Sequence, residues 1–399
     1  MKPFFHLSKI VDVRLYQGDC LHVLQAIPSG TIDAFISDPP YGLTESVNIF
    51  EMLGEFLNGN NYKVSTLGFN GNTWDAVIPG PKTMSEVYRT LKPGAYAAVF
   101  AAKRNVDLMT LSLRIAGFEI KDMLMWTHSQ GVPKSKPMIV KGTDFRNDLR
   151  PLYEPIILAK KPVIGKNIED NIKRFGTGGL QSTSILSNYS GDIVCDASIA
   201  SLRTIHPSQN GVALCHELID GMYDSSFLVS KPGEKENRLW LDGCGVDMWP
   251  KELEQRKKYV NQSPVAEQNF HPTKKPIMLM SYLVRLLTTE GATVLDSFTG
   301  ACTTGVAASL NNRNFIGVDL DARYLEIGKH RIQNAMDRRD NPQSNDYKYF
   351  SKFIDPSILT RQEKELREKI VNGTASIAER IIYRELISAE QILVFKKVA

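Results

Sequence analysis

Asp38, Pro39, Pro40 and Tyr41 bring together the atoms that would hold an aromatic amine. A carboxylate oxygen of Asp38 and the backbone carbonyl of Pro39 can each accept one N–H, and two prolines fix φ so that both acceptors stay preorganised. Tyr41 adds a flat face on which a heteroaromatic ring can stack. Acceptors placed this way stabilise the charge that develops on an amino nitrogen as it attacks an electrophilic carbon. The tetrapeptide closes an apolar run, Ile32–Ser37, that reads as a short strand. A Pro-rich turn with a packed tyrosine is the plainer use of the same four residues.

A second constellation lies far along the chain. Val294, Leu295 and Asp296 end another apolar strand, and residues 297–305 (SFTGACTTG) form a small-residue loop that contains Phe298, Gly300 and Thr303. Residues 306–310 continue it as a helix. Strand, Gly-containing loop and helix is how a doubly wound sheet opens a nucleotide crevice at the carboxyl ends of its strands. Residues 314–318 read as the next strand and end at Asp319, whose carboxylate is placed to hydrogen-bond a ribose diol. Capping the helix expected over residues 322–332 is the alternative role for Asp319.

Four segments, in this order, resemble the DNA amino-methyltransferases, which make N6-methyladenine or N4-methylcytosine from S-adenosyl-L-methionine. They are DPPY at 38–41, LKPGAYAAVFAAKRN from Leu91, HPTKKPIMLM from His271 and VLDSFTGACTTGVAA from Val294. The amine tetrapeptide precedes the donor loop, as in the permuted β group of that family. GFEIKDMLMWTHSQGVPKS from Gly117 and LRPLYEPIILAKKP from Leu149 also resemble phage and bacterial members. The likeness spans about residues 12–162 and 270–335.

That resemblance implies an α/β chain with the Rossmann-like methyltransferase fold: a mostly parallel, doubly wound sheet, circularly permuted, with an inserted target-recognition region. It implies catalytic roles for Asp38, Pro39, Pro40 and Tyr41, and double-stranded DNA as partner, with the target base rotated out of the helix. Asp19, Thr273, Lys275, Asp296, Phe298, Gly300, Thr303 and Asp319 are the implied contacts of S-adenosyl-L-methionine. Of these, Asp19 is placed at the donor's adenine ring, and Thr273 and Lys275 at its methionine part. A turn aspartate and an N-cap threonine are the plainer readings of Asp19 and Thr273. Asp38, where N4-cytosine relatives more often carry Ser, directs the reading to adenine. N4-cytosine methylation is the alternative, and a catalytically silent DNA-binding relative is another.

The chain also departs from the family's usual donor loop, DPFxGSGTT. Ser297 replaces its proline, Ala301 its serine and Cys302 its second glycine. A β-carbon at Cys302 is expected to lower donor affinity or to shift the loop.

Several elements must position these residues. Residues 11–16 are expected as a strand beside 314–319, so that the two halves of the chain complete one sheet. Helices are expected over 83–91, 106–116 and 277–288, and strands over 95–101, 118–126 and 155–159. Residues 43–73, Asn- and Gly-rich, read as a loop over the site. The expected division is a catalytic half (1–162), an inserted target-recognition region (163–269), a donor-binding half (270–336) and a helical C-terminal extension (337–399).

With 399 residues, 42% hydrophobic and 23% charged, the chain can bury a large core, and a net charge of +4 permits DNA binding without arguing for it. Local charge is more informative. Residues 131–161 hold seven Lys or Arg against three Asp or Glu, which makes Lys134, Lys136, Lys141, Arg146 and Arg150 the candidates for phosphate contact. Five cysteines without regular spacing point to a reducing compartment, and no CxxC or HxxxH pair suggests a metal. No signal-type segment opens the chain and no run approaches the ~20 apolar residues of a membrane span, so the expected location is cytoplasmic. Self-association and a cognate restriction endonuclease are partners the resemblance admits.

Overall fold

The computed structural model describes residues 1–8, 10–43, 47–63, 76–127, 138–141, 143–146, 153–181, 193–195, 226–228, 274–339, 369 and 393–395. Strands β1 (Phe5–Ser8) and β2 (Asp12–Gln17) lead into helix α1 (Cys20–Ala26) and strand β3 (Ile32–Ser37). Helices α2 (Ile49–Leu57) and α3 (Pro81–Thr90) precede β4 (Leu91–Phe100), α4 (Val106–Ile115) and β5 (Glu119–Thr127). A short hairpin, β6 (Met138–Val140) and β7 (Thr143–Phe145), is followed by β8 (Tyr153–Lys160), α5 (Ile168–Phe175), β9 (Ile193–Cys195) and β10 (Ser226–Leu228). The chain continues through α6 (Ile277–Leu287), β11 (Thr293–Asp296), α7 (Thr303–Leu310), β12 (Asn314–Asp319), α8 (Ala322–Arg339) and β13 (Leu393–Phe395).

Two compact units divide the chain. The first takes residues 1–123, 156–188 and 232–358; the second takes 124–155, 189–231 and 359–399. In the first, the sheet runs in the order β1-β2-β12-β11-β3-β4-β8-β5. The central pairs β2·β12, β12·β11, β11·β3 and β3·β4 are parallel, while β1 pairs antiparallel with β2 and β8 antiparallel with β4. β12 lies against β2 from Phe315↔Val13 to Asp319↔Gln17, so the two remote segments do complete one sheet. In the second unit β10 runs parallel to the end of β5, β13 pairs with β9, and β6 with β7.

The parallel strands are apolar because helices cover them. All six residues of β3 are buried, including Asp33. Its carboxylate is satisfied at both sheet neighbours: Lys92 of β4 at 2.6 Å and the Thr293 N–H of β11 at 2.8 Å. One buried acid thus fixes the positions of three strands. Leu24, Phe35, Phe56, Met84, Val87 and Leu113 fill the core on this side, each worth roughly 1.5–3 kcal/mol of burial.

Three elements differ from the sequence reading. Residues 43–73 contain a helix, α2, started by Asn48, whose side chain accepts from the N–H groups of Phe50 and Glu51. Met52 and Phe56 bury, but Phe50 is 83% and Leu57 75% exposed. Exposed apolar residues, Phe50 and Leu57, confound the period that marks the helix. The rest of that stretch, 44–46 and 64–75, lies outside the described residues. β4 begins at Leu91, directly after α3, and absorbs Pro93 and Gly94 through a register shift against β3. α8 continues past Ile332 to Arg339.

Every residue of α7 is buried. Gly305 is the point of closest approach: a β-carbon there would lie 2.6 Å from Cε1 of Phe315 and 2.9 Å from Cδ1 of Ile332. Gly305→Ala is expected to overpack this contact and cost about 1–3 kcal/mol, read as a lower urea midpoint.

Candidate active site

β3 and β11 are parallel neighbours, paired Val294↔Ala34 and Leu295↔Phe35, so their carboxyl ends leave the sheet on the same edge. There the Ser37 hydroxyl donates to Asp296 Oδ1 at 2.5 Å. The next residue after Ser37 is Asp38 and the next after Asp296 is Ser297, so the two loops start side by side. Asn105, beyond β4, holds the first loop from above: its Nδ2 donates to the carbonyls of Tyr41 (2.7 Å) and Gly42 (2.8 Å). Gly42 has φ +62°, and a β-carbon there would meet the Ile78 nitrogen at 3.1 Å.

Asp38 is paired with a cation. Lys275, whose side chain is only 5% exposed, places Nζ 2.5 Å from Asp38 Oδ2. The same ammonium lies 5.3 Å from the Tyr41 ring centroid and 5.2 Å from that of Phe100. A carboxylate, an ammonium and two aromatic rings thus share one pocket, where the partial burial strengthens each attraction.

The second loop is tied down at several points. Asp296, fully buried, accepts from Ser37, from Thr304 Oγ1 (2.6 Å) and from the Phe298 N–H (3.1 Å). Asp319 accepts from the Gly300 N–H at 2.8 Å and from the Asp321 N–H at 2.9 Å. Its own carbonyl receives the Gly18 N–H at 2.9 Å, which brings Asp19 next to the end of β12. Asp19 caps α1, accepting from the His22 N–H at 3.2 Å. Arg331 of α8 donates to the carbonyl of Ala301 and to Thr303 Oγ1.

Burial pushes the carboxyls of Asp296 and Asp319 up from the ordinary 3.8 to about 6. Their hydrogen bonds work against that shift. A like charge adds to it: Asp38 at Asp296, Asp321 at Asp319.

Cys302 takes the left-handed conformation, φ 57° and ψ 39°, in which a glycine would cost nothing. Its side chain has a matching space. A β-carbon built on Gly328 of α8 would lie 2.1 Å from Cys302 Sγ, so the absence of a side chain at 328 is what admits the thiol. Burial raises that thiol to about 12, which makes it an inert packing group.

Of the residues singled out from sequence, Asp19, Asp38, Pro39, Pro40, Tyr41, Lys275, Asp296, Phe298, Gly300, Thr303 and Asp319 all lie in the first unit, around the carboxyl ends of β2, β3, β11 and β12. Thr273, Lys134, Lys136 and Arg150 lie outside the described residues. Lys141, at the hairpin turn, and Arg146 are exposed in the second unit. Sequence reasoning missed Ser37, Phe100, Asn105, Thr304, Gly328 and Arg331, whose parts here exist only through tertiary contact. Four left a trace: Phe100 and Asn105 within the LKPGAYAAVFAAKRN segment, Thr304 within VLDSFTGACTTGVAA, and Ser37 at the end of the apolar run 32–37.

The loop after β11 suits a polar ligand. Among the described residues the buried Ser297 Oγ finds no hydrogen-bond partner, and the carboxylates of Asp19 and Asp319, at the ends of β2 and β12, can accept hydroxyl or amine protons. Among the described helices none is long and apolar enough to cross a membrane.

A protein-family profile described as DNA methylase, of the N6/N4 type, matches residues 32–330. The type II methyltransferase M.HindIII of Haemophilus influenzae is 23% identical over 354 residues, 80% of this chain and 94% of that protein. The DNA adenine methyltransferase YhdJ of Escherichia coli is 22% identical over 332 residues, 80% of this chain and 83% of that protein. Among solved structures, the cytosine-N4-specific PvuII DNA methyltransferase aligns at 16% identity with a TM-score of 0.47, covering 90% of this chain and 95% of that one.

Two outcomes are expected from this geometry. Gly328→Ala is expected to cost about 1–3 kcal/mol in urea unfolding, and most of that cost should vanish in a Cys302→Gly background, where the space is returned. A penalty of equal size in both backgrounds would show that the two residues do not share the space. For pH, both raised carboxyls bind a proton more tightly in the folded chain than in the unfolded one. Their contribution to stability is complete below the unfolded value of 3.8 and is lost as pH rises through about 6. The urea-midpoint advantage of the wild type over Asp319→Asn should therefore shrink between about pH 4 and pH 7, and a widening gap would contradict the sign.

Proposed function

The chain belongs to the N6/N4 family of DNA methylases, and we propose that within it this DNA methyltransferase acts at N6 of adenine in double-stranded DNA, at a specific site. The observation that carries the reading is the abutment of Asp38–Pro39–Pro40–Tyr41 with the Asp296 loop, joined by the 2.5 Å hydrogen bond from Ser37. Adenine is favoured because position 38 is Asp. The name of the adenine methyltransferase relative lends support.

The amine of a paired base is out of reach inside a duplex, so the base is extruded, at a few kcal/mol of lost stacking and pairing. Tyr41 stacks on the extruded ring. Asp38 and the Pro39 carbonyl accept the two amine hydrogens, which draws the nitrogen lone pair out of ring conjugation and aims it across the cleft. Asp19, Asp319, Ser297 and the backbone of 298–303 are the residues that would hold S-adenosyl-L-methionine, together with Thr273 on the strength of the family pattern. When bound, that donor supplies an electrophilic methyl on a sulfonium sulfur. Asp38 need not be a strong base, because an aryl-ammonium product sheds its proton readily. Lys134, Lys136, Lys141, Arg146 and Arg150 are proposed to meet phosphates, a sequence-independent attraction that weakens with salt. A homodimer and a cognate restriction endonuclease are proposed partners; the type II methyltransferase name of the M.HindIII relative supports the second.

Asp38→Ala is expected to lower transfer of radiolabelled methyl into unmodified DNA by at least ~10²-fold, with S-adenosyl-L-methionine affinity by isothermal titration within a few-fold of wild type. Retained turnover would refute the assignment of Asp38. Digestion of the labelled DNA to nucleosides should yield N6-methyladenine, and N4-methylcytosine in its place would overturn the choice of base.

A further inference from the structure

The geometry points to Lys275 as a positioning residue for methyl transfer: its buried ammonium holds the Asp38 carboxylate in one orientation and in its charged form, as an acceptor for the target amine. This rests on the reading of Asp38 given above and departs from the donor contact that the family pattern implied for Lys275. Three observations carry it. Nζ reaches Asp38 Oδ2 at 2.5 Å, from a side chain 5% exposed onto one 17% exposed, so this is a largely desolvated pair that restrains one carboxylate oxygen. The ammonium also lies within cation–π distance of the Tyr41 and Phe100 rings, at 5.3 and 5.2 Å, so it is in contact with the same ring that is proposed to stack on the base.

The third observation is the charge balance. Asp296, at the end of β11, faces Asp38 closely enough for the two carboxylates to repel, and Asp296 is fully buried. Two acids in one poorly solvated cleft favour protonation of one of them. A protonated Asp38 would present an O–H donor where an amine needs an acceptor. Lys275, entering from the turn before α6, supplies the opposing charge. Tyr41 on the Asp38 loop, Ser37 at the end of β3 and Asn105, which donates to the Tyr41 carbonyl, are polar neighbours of this pair that carry no charge at neutral pH. A carboxylate has two oxygens, so one can stay with the ammonium while the carboxylate serves an incoming N–H.

The test uses Lys275→Met, similar in length but uncharged, and Lys275→Arg, which keeps the charge. Each is compared with wild type for kcat and KM with unmodified genomic DNA, for affinity toward S-adenosyl-L-methionine, and for the pH profile of kcat/KM. Lys275→Met should lower kcat at least tenfold at pH 7, move the acid limb of the profile upward by about one unit or more, and recover part of the loss at pH 9. Its donor affinity should stay within threefold of wild type. Lys275→Arg should keep the acid limb in place. A Lys275→Met variant that binds donor tenfold or more weakly with an unmoved acid limb would overturn the inference and return Lys275 to the donor pocket. Urea midpoints verify folding. Should Lys275→Met not fold, an acid limb displaced in Lys275→Arg would overturn the inference and an unmoved one would support it. Loss of the underlying reading has a separate signature, since Asp38→Ala would then keep its turnover whatever Lys275 does.

Discussion

Asp296 is a carboxylate removed from water at the point where two parallel strands end, and such a group is tolerable only if its oxygens are satisfied. Its partners come from both sides of the site: the Ser37 hydroxyl, 259 residues away in sequence, and the Thr304 hydroxyl with the Phe298 N–H on the following loop. The bonds that satisfy this buried charge therefore also bring the Asp38–Tyr41 tetrapeptide next to the loop that follows β11. Asp33 does the same lower in the sheet, where Lys92 and the Thr293 N–H meet on one side chain. Buried polar contacts thereby mark the register between β3 and β11 at two heights, in addition to the apolar packing of the strands.

What the sequence made legible was local. The apolar run of β3 ending in Asp-Pro-Pro-Tyr, the strand-loop-helix of β11 and α7, and the strand that closes on Asp319 each carry their pattern within a dozen residues, and each forms as expected. The sheet's permuted completion followed from their order. The partnership of Lys275 with Asp38 had no such signature, because nothing in HPTKKP says which side chain the lysine will meet after folding. Asn105, Thr304 and Arg331 were hidden for the same reason: their roles are to hold backbone carbonyls or carboxylates of other segments. Helix α2 was missed for an opposite cause. Its pattern is present but confounded by Phe50 and Leu57, which point outward.

The odd residue in the loop after β11 finds its explanation in the helix that packs against it, α8. A cysteine in a left-handed turn stores about 1 kcal/mol or more of backbone strain, and a buried thiol must go somewhere. Gly328 on α8 provides that space, so the loop keeps its path, with the Gly300 N–H on Asp319 and the Ala301 carbonyl on Arg331. The departure at 302 is thus absorbed by helix packing behind the loop.

The sheet's connectivity also sets a schedule for synthesis. β2 and β3 are translated early, yet the strands that fill the gap between them, β11 and β12, begin only at Thr293. At about 5–20 residues per second, the ribosome needs on the order of ten to fifty seconds to reach them. Throughout that interval the inner edges of two apolar strands have no native neighbour and are open to association with other nascent chains. In a maturing polypeptide of this connectivity those two edges are protected only once β11 and β12 have emerged.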